Sequence, residues 1–231
     1  MASPIAQFRI WDKAKDLTRK FHYDEAITLY RSVETDIKNM QEWRQNKSER
    51  DMLFDQALFF GDYCGALADR GFYTEAKEMG NFALKCIEQG NFRTLKYIYY
   101  NIGNIYLFQS NYELALEWYE QALDKSKPQF LINFGIALYY LKRVEEAKTA
   151  FETLIEKSKG SKLADSFYHY FYLMKIYKMQ GNEKMRYKFQ KLYLTRLKKR
   201  PRILIEWSIS TMKTELEIED GKEILADYEN M

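Results

Sequence analysis

The sequence is short of residues that cross-link, punctuate or catalyse. Its only cysteines, Cys64 and Cys86, sit among helix-forming residues. That pattern reads as buried thiols in a reducing compartment, not as a disulfide framework. It has two histidines, His22 and His169. Neither has a cysteine or acid at a convincing metal-ligand or general-base spacing, and both read as satisfied structural histidines. There is no CxxC pair and no glycine-rich phosphate loop after a strand pattern. Three prolines and ten glycines in 231 residues are few breakers. The densest apolar stretch, "LINFGIALYYL" at 131–141, falls well short of the roughly 18 residues a membrane span needs. The opening "MASPIAQFRIWDKAKD" reaches charge early and lacks a signal-peptide core. These gaps lead to the expectation of a cytoplasmic, non-enzymatic protein without cofactor or metal and without membrane insertion.

What is abundant is core material. The chain is 46% apolar and 16% aromatic, enough to exclude wholesale disorder. Rich in Leu, Ala, Glu and Lys and poor in breakers, it is expected to be all-α. Net charge is only +3, but it is unevenly spread. From Lys175 to Arg202 there are eleven Lys or Arg and one Glu; from Lys213 to Met231 there are seven acids and two Lys.

The chain repeats itself. Gly103, Tyr106, Ala115, Tyr119 and Ala122 are spaced 3, 9, 4 and 3 residues apart, and Gly135, Leu138, Ala147, Phe151 and Leu154 repeat those spacings 32 residues later. Within a helix such offsets share a face. The stretches "FHYDEA", "GFYTEA", "SNYELA" and "KRVEEA" have the form of a helix-hairpin joint. In each, a ring or branched side chain covers the turn, and an Ala lets the second helix lie close to the first.

This pattern resembles the tetratricopeptide repeat, a helix–turn–helix unit of about 34 residues. The resemblance covers roughly residues 7–198. On the family's frame the first-helix small residue falls at Ala14, Cys64, Gly103, Gly135 and Met174, the following large residue at Leu17, Leu67, Tyr106, Leu138 and Tyr177, and the second-helix small residue at Ala26, Ala76, Ala115, Ala147 and Arg186. The fifth unit departs at both small positions and is expected to pack less closely. The second-helix positions are separated by 50, 39, 32 and 39 residues, which implies irregular units and lengthened helices around a polar turn near Asn46–Ser48. The expected architecture is a helical-hairpin superhelix, an α-solenoid of about five irregular repeats over 1–200. After Pro201, residues 201–231 would form a capping helical segment.

The resemblance also implies a concave face lined by first helices. By register it presents Tyr97, Tyr100, Asn101, Asn104 and Phe108 in the third unit, and Asn133, Ile136 and Tyr140 in the fourth. The fifth contributes Tyr168, Tyr172 and Lys175, the second Asp62 and Asp69, the first Trp11, Asp12 and Arg19. Rings and amides suit a partner peptide or helix, although rings of this kind also pack between neighbouring repeats. Asn101 and Asn133 match one element of the carboxylate clamp of some chaperone-binding members, but the lysine partners are missing from the expected places. The implied function is a protein-interaction scaffold or adaptor. A peptide-responsive regulator and self-association are alternatives. The basic run Lys188, Lys191, Arg196, Lys198, Lys199, Arg200 and Arg202, with Tyr187 and Tyr193 among it, suits a solvated face, the chain's own acidic tail, an acidic protein, or nucleic acid.

Overall fold

The computed structural model describes residues 4–39, 48–92, 95–123, 127–158 and 168–198. Residues 199–231, which include Lys199, Arg200, Arg202, the expected capping segment and the acidic tail, lie outside the described residues.

Among the described residues the fold is all-α: α1 (Pro4–Arg19), α2 (Tyr23–Lys38), α3 (Glu49–Arg70), α4 (Tyr73–Gly90), α5 (Lys96–Phe108), α6 (Tyr112–Ala122), α7 (Leu131–Tyr140), α8 (Val144–Lys157), α9 (Tyr168–Met179) and α10 (Glu183–Leu197). The widest repeat spacing is absorbed by α3, which runs 22 residues and starts at a capping box in which Ser48 and Asp51 satisfy each other's backbone N–H.

All five hairpins turn in the same way. A residue in the left-handed region follows each first helix: Phe21 (φ 65°), Gly71 (90°), Ser110 (59°), Lys142 (62°) and Gly181 (66°). The next residue's N–H reaches back to the carbonyl of Leu17, Leu67, Tyr106, Leu138 or Tyr177, the large position of each repeat. The left-handed residue donates to the carbonyl one position further on, the Schellman arrangement that closes the orphan carbonyls of a helix end.

The chain divides into two compact units, Met1–Ala137 and Leu138–Met231. In the first unit the core runs continuously from Trp11 to Ile105, with Phe59, Phe60, Tyr30 and Tyr63 fully buried and the Tyr30 and Tyr63 rings stacked at 5.1 Å. Ala14, Cys64, Ala26, Ala76 and Ala115 are all 0% exposed, so the small residues of the repeat are where helices meet. Gly103 shows why: a Cβ there would stand 2.5 Å from the Tyr119 ring. Both thiols are free and buried, and burial pushes Cys64 up to about 12 and Cys86 to about 11.

In the second unit Phe151 stacks on Tyr172, and Phe189 stacks on Tyr177 and Tyr170. The fifth hairpin keeps the family register despite its bulk. Met174 is 3% and Arg186 7% exposed. The Arg186 guanidinium is accommodated by donating to Glu183 Oε2 at 2.7 Å and Gln190 Oε1 at 3.1 Å. A buried charge persists only with such partners.

Candidate functional site: the first-helix face

In the first unit, α1, α3 and α5 form one layer whose cross-links come from the residues expected to face a partner. The Trp11 indole N–H donates to Asp62 Oδ2 at 3.0 Å. Tyr97 donates its hydroxyl to the Leu58 carbonyl at 3.1 Å, and Asn101 its amide to the Gly61 carbonyl at 2.9 Å. Gly65 permits that approach, since a Cβ would stand 2.8 Å from the Asn101 amide nitrogen. Tyr97 and Asn101 remain half-buried, so each ties two helices together while keeping one edge at the surface.

Asn104, Tyr119 and Asn133 form a second knot. Tyr119 OH and Asn133 Nδ2 both donate to Asn104 Oδ1, each at 2.9 Å. Tyr100 stacks on Phe130 at 4.8 Å and leans on Tyr119 at 5.3 Å. Asn104 is 7% exposed, so its carboxamide serves this knot and offers little to a partner. Ile136 packs on the same cluster, while Phe108 stands 41% exposed.

Two carboxylates of α3 stand on this face. Asp62 and Asp69 lie seven residues apart on α3, hence on one side of the helix. Burial pushes Asp62 up to about 6 against the hydrogen bond from Trp11 and the nearby charges of Lys15 and Arg19. The mass of protein around Asp69 pushes it to about 6 as well, opposed by a hydrogen bond with Tyr23, although its side chain stays accessible to water. Lys15 has its ammonium 2.7 Å from Asp12 and 4.6 Å above the Trp11 ring.

In the second unit the predicted residues Tyr140 and Tyr172 belong to a ring cluster with Tyr139, centroids 5.2–6.2 Å apart. The Lys175 ammonium lies over Tyr139, Phe171 and Tyr172 at 5.2, 5.4 and 6.0 Å. Tyr172 is only 6% exposed and Tyr168 is half-buried. The basic run divides: Lys188, Lys191 and Lys198 are exposed, Arg196 is half-buried, and Tyr193, at 2% exposure, is core and not a stacking ring. Tyr187 is 51% exposed.

His22 is exposed, with Nδ1 3.1 Å from Glu25. His169 departs from expectation. It is buried, but both ring nitrogens lack hydrogen-bond partners, so it is structural without being satisfied. The paired Glu145 and Glu146 occupy the first turn of α8 and meet Lys148 and Arg143, each at 2.7 Å. A cavity of about 860 Å³ opens beside the α2 end and the α3 start, lined by Lys38, Arg50, Gln56, Phe82, Lys85 and Cys86 among others. None of the predicted site residues lines it. Its Lys38 is already paired with Glu34, and Arg50 donates to the Gly90 carbonyl. Among the described residues no cluster of three or more His, Cys, Asp or Glu is placed to hold a metal, and no helix is long and apolar enough to cross a membrane.

Repeated hairpins with buried small residues at fixed register define a helical-hairpin repeat protein. Residues 97–126 match the tetratricopeptide repeat. It is 38% identical over 85 residues to the photosystem I assembly protein Ycf3 of Rippkaea orientalis (strain PCC 8801 / RF-1). That match covers 36% of this chain and 47% of the relative, about half the relative's length. Among solved structures, the fold resembles MamA (TM-score 0.53, 16% identity, 80% of this chain and 95% of the other). It also resembles YrrB, described as a TPR protein with an unusual peptide-binding site (TM-score 0.50, 15% identity, 86% and 89%).

Proposed function

We propose that the chain is a non-enzymatic interaction scaffold, cytoplasmic in setting, that holds a partner segment on the first-helix face of its first unit. One observation carries this reading: the layer of α1, α3 and α5 is tied together by Trp11, Tyr97 and Asn101, while Asp62 and Asp69 stand on its open side with no carboxylate–cation ion pair among the described residues. A carboxylate lifted toward 6 by its surroundings gains when a cation arrives. The preferred partner segment therefore carries Lys or Arg facing α3. The peptide site for which YrrB is named and the assembly role in the name of Ycf3 agree with a scaffold.

The test is a peptide array probed with the wild type and with Asp62→Asn/Asp69→Asn. Asparagine keeps an acceptor for Trp11, so the fold is preserved. We expect basic peptides to be enriched on the wild type and their affinity to fall about tenfold in the variant, about 1.4 kcal/mol, the scale of lost charge attraction at partly exposed carboxylates. Basic peptides that bind both proteins equally would refute the assignment. Replacing Tyr100, Asn101 or Asn133 is less informative, because those residues hold helices together.

A further inference from the structure

The outer side of α10 carries a second feature, separate from the first-helix face. Lys184, Lys188 and Lys191 succeed one another at spacings of four and three residues. On a helix these positions fall within about 60° of arc and span about 10 Å along the axis. All three are exposed, whereas Phe189, Tyr193, Leu194 and Leu197 on the opposite side are buried. Lys198 lies on the same arc two turns further on, and Tyr187, 51% exposed, borders it.

On α8 of this unit, cations meet carboxylates three residues away: Arg143 with Glu146 and Lys148 with Glu145. Among the described residues Lys184, Lys188 and Lys191 meet none, and the one acid of α10, Glu183, is engaged by buried Arg186. Like charges at these spacings repel, so the row weakens the helix that carries it. A row of uncompensated like charge is complementary to a partner of opposite sign.

We infer that this face docks an acidic helical segment of a partner protein, with Asp or Glu recurring at three- and four-residue spacing. A helix laid along α10 has the same rise per residue, so three carboxylates at those intervals come into register with the three ammonium groups at once. Tyr187 supplies apolar contact at the border. A polynucleotide fits less well, because among the described residues Lys184, Lys188 and Lys191 form a single row along one helix. On α8, the neighbouring second helix in sequence, Glu145, Glu146, Glu152 and Glu156 are exposed. A phosphate backbone needs a broader basic track.

The experiment measures binding of the intact chain to two labelled peptides of identical composition by fluorescence anisotropy. One places three Glu on a single helical face at spacings of three and four; the other scatters them around the helix. The facially acidic peptide is expected to bind about tenfold more tightly, to lose that advantage in Lys184→Gln/Lys188→Gln/Lys191→Gln, and to weaken as salt rises. Circular dichroism of this all-surface variant should match the wild type. Equal affinity for the two peptides, undiminished binding by the variant, no saturable binding of either peptide, or tighter binding of single-stranded DNA than of the facial peptide would each overturn the inference.

Discussion

Lowering the pH should cost the second unit stability through one residue. His169 is 1% exposed, both ring nitrogens lack partners, and burial together with the charge of Arg196 lowers its pKa from the ordinary 6.5 to about 4. The folded state therefore takes up a proton later than the unfolded chain as pH falls. Stability that is fully present above the unfolded value is lost between about pH 6.5 and 4. At about 1.4 kcal/mol per pH unit, the full loss is on the order of 3 kcal/mol, a large share of a typical domain's margin. Asp62 and Asp69 in the first unit act in the opposite direction. Their raised values make folding more favourable as pH falls through about 6 toward the ordinary 3.8. The raw slope for the whole chain is thus a mixture, and a variant is needed to isolate the histidine. His169→Phe keeps a planar ring of similar size and removes the titratable nitrogens. Urea unfolding of wild type and variant, followed by circular dichroism from neutral pH down to about 4.5, should show the variant gaining relative stability steadily as pH falls. A histidine ring titration followed by NMR should have its buried resonance near 4. Parallel stability curves, or a midpoint near 6.5, would refute the reasoning.

Gly103→Ala should destabilise the third hairpin by about 1–3 kcal/mol, because the new Cβ meets the buried Tyr119 ring at 2.5 Å; thermal unfolding checks it. Lys142→Gly should act the other way, gaining about 0.5–1 kcal/mol, because Lys142 holds φ 62° at an exposed turn where a β-carbon is disfavoured. Denaturant midpoints would measure that gain.

The hairpin joints were legible because their chemistry is local. A turn-covering residue, an acid and an Ala recur at fixed offsets, and the helices begin and end accordingly. The left-handed residue of three joints was not, because Phe21, Ser110 and Lys142 stand where glycine, as at Gly71 and Gly181, would have marked the turn. Arg186 at a small-residue position looked like a loosened hairpin; its partners Glu183 and Gln190 make burial possible, and three-dimensional pairing of that kind leaves no trace in a spacing rule. The inward register of Tyr97, Asn101, Asn104 and Tyr172 is shared by residues that meet a partner and residues that meet the next helix. The sequence alone could not show that Asn104 is enclosed while Asp62 and Asp69 keep an open side. The basic run read as one patch. The structure separates exposed Lys188 and Lys191 from half-buried Arg196 and adds Lys184 to their row.

The hydrogen bonds from Trp11, Tyr97 and Asn101 to the neighbouring first helix also bear on how an encounter proceeds. Two of them end on main-chain carbonyls within α3, acceptors whose positions are fixed by the helix itself. The receiving surface is thus assembled before any partner arrives. The entropy of ordering falls on the incoming segment, and affinity is governed by how well that segment is preformed. Substitutions that stiffen the ligand should accordingly strengthen association more than substitutions that stiffen this chain.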